Sequence, residues 1–317
     1  MVSISDIRSA KGVKVLVTGG AGFIGSRLCD LLHSSGWIVH SVSGRRQADA
    51  LSPYQHWQAD LTDIEAVRTL LKSVQPEYVF HLASHVWGAP DLAHVLPTFQ
   101  SNLHTTVNLL TAIAEIGCRK FLVTGSLVEP DSRAEENIPS APYAASKWAS
   151  SDYVRMFHAL YQVPGTIARV FMVYGPGQQD RTKLVPYVVE RVMRGASPDV
   201  TTGRRLIDWV YVDDVAYGLA KMALAPDLAG RTVDLGSGSL ITTAELVETI
   251  CTLMGGTVRP RFGAIADRPM EPTRVANIEE TSRLLGWAPQ TTLIEGLQRT
   301  IQWYREQTEA HTIKTCR

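Results

Sequence analysis

A chain of 317 residues, 45% of them apolar, can bury a substantial core and make one large or two modest domains. Its 31 basic and 31 acidic side chains cancel, which leaves no basic surface to hold a nucleic acid or an anionic membrane, so a small-molecule partner is expected. Cys29, Cys118, Cys251 and Cys316 are scattered without a C-x-x-C pair, the nine histidines form no H-E-x-x-H, and neither a disulfide framework nor a metal site is expected. Residues 1–12 lack an apolar signal core and no apolar run is long enough to span a bilayer, so the expected location is cytoplasmic.

The β-branched and aliphatic run at 13–17 predicts a strand buried on both faces, ending in Thr18 and then Gly19, Gly20, Gly22 and Gly25. Ile24, Leu28, Leu31 and Leu32 follow at helical spacing. Strand, glycine turn and helix are what a dinucleotide pyrophosphate needs: residues without Cβ let the backbone approach, and free N–H groups at the helix start face the anion. The spacing is G-x-x-G-x-x-G at Gly19, Gly22 and Gly25.

From there strands and helices alternate. Strands are predicted at 38–42, 57–60, 78–82, 121–124 and 166–170. A helical stripe at Ile64, Val67, Leu70 and Leu71 and helices over 96–116 and 142–161 lie between them. This alternation predicts an α/β protein with a doubly wound parallel sheet of the Rossmann type, whose ligands lie beyond the carboxyl ends of the strands. The residues that follow the strands, Gly19, Ser43, Asp60, Ala83, Ser126 and Phe171, therefore carry the most weight.

Gly175, Pro176, Gly177 and Gln178 break the pattern, and a helix over 184–194 opens a new region. Strands at 209–212 and 233–235 are expected to return to the sheet. A cap at Thr242 or Thr243, a stripe at Leu246, Ile250 and Leu253, and a last helix over 294–304 with Leu297, Ile301 and Trp303 or Tyr304 inward then predict a smaller, mostly helical lobe. The expected division is 11–175 with 206–238 for the dinucleotide and 176–205 with 239–306 for the substrate.

Tyr143 and Lys147, in P-Y-A-A-S-K, are four apart near a helix start and project from one face. A phenol with a pKa of about 10 relays protons poorly at neutral pH, and a nearby ammonium favours its phenolate. Ser126, just beyond a strand, can share a substrate carbonyl oxygen with the tyrosine.

With these residues the chain resembles an extended short-chain dehydrogenase/reductase, of the NAD-dependent epimerase/dehydratase kind that acts on nucleotide sugars. The motifs run through nearly its whole length: TGGAGFIG at 18–25, ADLTD at 59–63, VFHLAS at 79–84, FLVTGS at 121–126, PYAASK at 142–147, ARVFMVYGPGQ at 168–178, DWVYVDDVA at 208–216 and LGW-P at 285–289. The resemblance implies a catalytic triad of Ser126, Tyr143 and Lys147, with the tyrosine as acid or base, the serine orienting the substrate oxygen and the lysine also holding the nicotinamide ribose. It implies cofactor contacts from Gly19, Gly22, Phe23, Ile24, Gly25, Asp60, Leu61, Leu82, Ala83, Ser84 and Val170, Asp60 and Leu61 near the adenine. It implies substrate contacts from Asn102, Lys183, Arg205 and Arg268, and a homodimer built on the helices over 96–116 and 142–161.

Three departures from the family pattern narrow the expectation. Where members that prefer NAD carry an acid at the end of the second strand, this chain has Ser43, Gly44, Arg45 and Arg46, which favours NADP(H) over NAD(H) through its 2′-phosphate. Where the family's dehydratases carry Asp-Glu after the catalytic hydroxyl residue, this chain has Leu127 and Val128, against dehydration, although Glu129 is near. Where many members carry arginine before the aspartate at 208, this chain has Ile207, with Arg204 and Arg205 shortly before it. The expected function is an NADP(H)-dependent 4-keto reductase of a nucleotide sugar with Tyr143 as proton donor. The alternatives are a 4-epimerase using NAD(P) and, outside enzymes, a dinucleotide sensor, which has no need of the triad.

Overall fold

The computed structural model describes residues 7–8, 10–44, 53–130, 138–268 and 270–315. Seven strands, all parallel, lie in the order Gln55–Gln58, Ile38–Ser43, Lys14–Thr18, Tyr78–His81, Lys120–Ser126, Gly165–Val170 and Thr232–Leu235. The chain starts in the middle, runs outward to one edge, and crosses back to lay Tyr78–His81 on the other side of Lys14–Thr18. That reversal opens a crevice at the carboxyl ends of these two strands, where ligands of such sheets bind.

Both faces are buried, which is why the strands read as continuous apolar runs. Val15, Val17, Phe80 and Leu122 point to one side and pack with Leu28 and Leu32 of helix Phe23–Ser34 and Val215, Leu219 and Met222 of helix Val212–Leu224. Leu16, Val79, Phe121 and Val123 point to the other, against helices Ile64–Val74, Thr105–Ile116 and Pro142–Tyr161 through Leu70, Leu109, Ile113 and Val154. A third core belongs to the other lobe. Val188 of helix Leu184–Met193, Leu246 and Ile250 of Thr243–Leu253, and Leu297, Ile301 and Tyr304 of Leu293–Thr315 meet around Tyr174 and Trp209. Among the described residues no helix is long and apolar enough to cross a membrane.

Several elements differ from the sequence expectation. The strand expected at 57–60 lies at Gln55–Gln58. The helix expected over 96–116 is wound in three ways: Val95–Thr98 is α, Phe99–His104 is π and Thr105–Ile116 is α. Pro97 has no amide proton, and the hydroxyls of Thr98, Thr105 and Thr106 take the carbonyls of His94, Ser101 and Asn102, so the regular ladder gives way there. The strand expected at 209–212 is Leu206–Tyr211, and it does not return to the main sheet. It pairs parallel with Met172–Tyr174 and antiparallel with Leu240–Thr242, because Ile207, Trp209 and Tyr211 belong to the third core. Thr242, not Thr243, caps its helix, in a reciprocal box with Glu245. Tyr304 is the fully inward aromatic of the last helix, with Trp303 partly buried beside it.

Candidate active site

The glycine turn is shaped for a close approach. Gly19 has φ +68°, and a Cβ there would stand 2.7 Å from the Ala83 nitrogen; at Gly25 a Cβ would stand 2.1 Å from the Gly19 oxygen. Gly22 caps helix Phe23–Ser34 without a side chain, and the first turn holds no acid, so the amides of Phe23, Ile24 and Gly25 are left for an outside anion. The residues thus fit a dinucleotide pyrophosphate. Leu82 and Ala83 form the opposite rim, tied to the first strand by N–H bonds to the Thr18 oxygen at 3.2 Å and the Thr18 hydroxyl at 3.1 Å. Gly25→Ala is expected to weaken dinucleotide binding roughly tenfold or more, the equivalent of about 1.4 kcal/mol, because the added methyl meets backbone. Calorimetric titration checks this; unchanged affinity would mean that the turn does not carry the pyrophosphate.

Ser43 ends the second strand beside this turn, since the Gly19 amide donates to the Val42 oxygen at 3.2 Å. Arg45 and Arg46 lie outside the described residues. Asp60 is exposed, and its carboxylate accepts the Thr62 amide at 2.9 Å and hydroxyl at 2.7 Å, which holds its pKa below the ordinary value. Leu61 is buried behind it, its carbonyl taken by Asn108.

Three groups converge at the end of strand Lys120–Ser126. The phenol of Tyr143 pairs with the Ser126 side chain, and burial pushes its pKa up to about 12. Lys147, one turn further along helix Pro142–Tyr161, sits with Nζ 5.9 Å from the Tyr143 ring centroid. Its ammonium donates to the Thr124 oxygen at 2.9 Å and hydroxyl at 3.1 Å, and burial pushes its pKa down to about 8. Below it His81 bonds the Thr18 hydroxyl at 2.7 Å, and burial, with the lysine's charge, pushes it down to about 3, so it is neutral. The helix starts where it does because Pro142 needs no donor partner in the first turn.

Glu129 completes this cluster, and the sequence drew attention to it only as a neighbour. Its carboxylate points back at the strand, accepting the Ser126 amide at 2.6 Å and the Ser151 hydroxyl at 3.1 Å. Leu127 is buried and Val128 packs on the core, so no acid follows Ser126 directly. The carboxylate fits there because residue 125 is a glycine: a Cβ would stand 2.5 Å from Glu129 Oε1.

Of the expected substrate residues, Arg205 and Arg268 come together on Glu271, at 2.5 and 3.7 Å. Among the described residues Arg205 Nε and Nη2 are buried without a hydrogen-bond partner. Arg268 reaches the loop after the fourth strand, where a Cβ on Gly88 would stand 3.0 Å from its Nη1, and Lys183 donates to the Val86 oxygen at 3.3 Å. Asn102 is turned inward. It accepts the His85 amide at 2.7 Å and the Ser84 hydroxyl at 3.1 Å and donates to Ser146 at 2.9 Å, pinning this loop to helix Pro142–Tyr161. The loop is further held by a His85–His94 bond of 2.9 Å and by Trp87 stacked on His94.

A doubly wound sheet with a glycine-lined crevice and a Ser-Tyr-Lys cluster beside it defines a dinucleotide-dependent oxidoreductase of the short-chain type. Residues 15–236 match the NAD dependent epimerase/dehydratase family, and the chain belongs to it. It is 30% identical over 341 residues to dTDP-glucose 4,6-dehydratase 1 of Escherichia coli, covering 94% of each chain. It is 28% identical to the UDP-glucuronate 4-epimerase of Thermodesulfobacterium geofontis, over 93% of this chain and 97% of the relative. Among solved structures, the UDP-glucose 4-epimerase of Thermotoga maritima with UDP-glucose superposes with a TM-score of 0.84 at 26% identity, over 93% of this chain and 99% of that one.

Proposed function

We propose that the protein is an NADP(H)-dependent oxidoreductase acting at carbon 4 of a nucleotide-activated sugar, most simply as a 4-keto reductase. The observation that carries this reading is the composition of the site: a hydroxyl, a phenol and an ammonium gathered at one strand end, with Leu127 and Val128 where dehydration needs acids and Glu129 committed to the Ser126 amide. Hydride chemistry is what a bound nicotinamide supplies. Tyr143, kept protonated by burial, gives its proton to the oxygen of the substrate, Ser126 holds that oxygen, and Lys147 provides the positive charge that eases the transfer. Arg205 and Arg268 hold the diphosphate, and Ser43 with Arg45 or Arg46 takes the 2′-phosphate. The names of the epimerase relatives favour a second reading, a 4-epimerase that takes the hydride and returns it to the other face of the sugar. Incubation with UDP-, dTDP-, CDP- and GDP-linked 4-keto sugars plus NADPH, and in parallel with the corresponding 4-hydroxy sugars, separates the two: reduction of the ketone consumes one NADPH per product, whereas epimerisation interconverts the 4-hydroxy epimers with no net change in the absorbance of the reduced nicotinamide.

The same reading includes a homodimer. Leu96, Phe99, Leu160 and Tyr161, at the outer ends of the two helical stretches expected to pair, are 68%, 49%, 66% and 57% exposed. Exposed apolar side chains at both ends of the helix pair are what an interface running along it would cover. Light scattering at micromolar concentration is expected to give twice the 34.8 kDa chain mass, and Leu96→Glu to give the monomer. A monomeric parent protein would sink this part of the reading.

A further inference from the structure

Behind the triad lies a buried carboxylate that the proton transfer does not itself use. Glu129 is 3% exposed, three residues after Ser126. Its Oε1 receives the Ser126 amide at 2.6 Å, in the space that a Cβ on Gly125 would occupy, and its Oε2 receives the Ser151 hydroxyl at 3.1 Å from helix Pro142–Tyr161, the helix that carries Tyr143 and Lys147. One carboxylate thus ties the strand that presents the serine to the helix that presents the other two groups. A buried carboxylate is costly unless it is paired or hydrogen-bonded, so a mere spacer at this place would be better apolar.

Resting on the triad reading above, we propose that Glu129 is a positioning residue for the proton transfer: it locks Ser126 against Tyr143 and supplies the negative charge that faces Lys147 from behind. Among the described residues the charged and titratable groups around it are few. From the helix come Tyr143 and Lys147, and from strand Gly165–Val170 comes Arg169, itself bonded to Asp234 at 3.2 Å. His81, on the other side of Lys147, is neutral. Burial raises the pKa of Glu129, while Arg169 and Lys147 oppose that rise. In return its charge raises the proton affinity of both Tyr143 and Lys147. Burial lowers the proton affinity of the ammonium and the carboxylate opposes that loss, favouring the charge where the phenol needs it.

The test is Glu129→Gln, which keeps an oxygen for the Ser126 amide, turns its NH2 toward the Ser151 hydroxyl, which then accepts, and removes the charge. The pH titration of Lys147 is read in the cofactor-free protein by NMR of ε-13C-labelled lysine, its signal assigned by Lys147→Arg. The expected result is titration roughly half a pH unit or more lower in Glu129→Gln than in the parent protein. Turnover should fall roughly tenfold with KM for the nucleotide sugar unchanged. Glu129→Ala, which also frees Ser126, should lose more turnover than Glu129→Gln; should it fail to fold, the Gln variant carries the test alone. An unmoved Lys147 titration in Glu129→Gln overturns the proposal, as does parental turnover in a folded Glu129→Ala. Tyr143→Phe distinguishes the two levels: if it turns over like the parent, the triad reading has failed, whereas an inactive Tyr143→Phe beside an unmoved Lys147 sinks Glu129 alone.

Discussion

Tyr143→Phe is expected to leave dinucleotide affinity nearly intact and to lower turnover by roughly 10²-fold or more, the usual scale for a lost general acid or base. The substitution removes one oxygen and leaves the ring, so helix Pro142–Tyr161 keeps its packing and Lys147 keeps both bonds to Thr124. Ser126 cannot stand in, because an aliphatic hydroxyl gives up its proton far less readily than a phenol does. Burial raises Tyr143 to about 12 and lowers Lys147 to about 8, so at neutral pH the site holds a protonated phenol beside a charged ammonium. That is the arrangement of a proton donor, which suits reduction. In the reducing direction kcat is accordingly expected to decline as the pH rises past about 8, where Lys147 loses its charge. Stopped-flow rates of NADPH oxidation from about pH 6 to about pH 10, on both sides of the Lys147 titration, measure both effects. Parental turnover in Tyr143→Phe would remove the phenol from the mechanism.

The parts of this site that the sequence made legible are those fixed by short-range periodicity. Val15 and Val17 face one core and Leu16 the other, so a strand buried on both sides reads directly as an unbroken apolar run. Tyr143 and Lys147 share a helix face at four-residue spacing, and Gly19 and Gly25 stand where backbone must meet backbone. What periodicity does not encode is where a chain folds back on itself. Glu129 becomes part of the site because a turn returns its side chain to the Ser126 amide; no spacing rule marks it. Arg205 meets Glu271 from far along the chain, a contact set by the packing of the lobe. Leu206–Tyr211 has the composition of a main-sheet strand, but Met172–Tyr174 continues beyond Phe171 and offers it a nearer partner. Asn102 was expected as a substrate contact on the family resemblance, whereas its hold on Ser84 and His85 depends on the π-wound segment that turns it inward.

NADP(H) is expected to bind more tightly than NAD(H), by roughly tenfold for each 1.4 kcal/mol of net advantage. The second strand ends at Ser43 next to the glycine turn, which is where the adenosine ribose lies when the pyrophosphate rests on a helix start of this kind. A hydroxyl at that point can donate to a 2′-phosphate, and a guanidinium from Arg45 or Arg46 would add charge-assisted hydrogen bonds worth about 1.5–3 kcal/mol each. Ser43→Asp should reverse the preference, since a carboxylate repels the phosphate and accepts hydrogen bonds from both ribose hydroxyls of NAD. Arg45→Ala and Arg46→Ala should weaken NADP(H) and leave NAD(H) nearly unchanged, the larger loss marking the contact. The reductase reading depends on this preference, because a net reduction draws on a supply of reduced cofactor, whereas an epimerase regenerates its own and has no use for a 2′-phosphate site. Calorimetric titration of both cofactors decides it: NAD(H) binding the parent protein as tightly as NADP(H) would abolish the 2′-phosphate site and move the reading from reductase to epimerase.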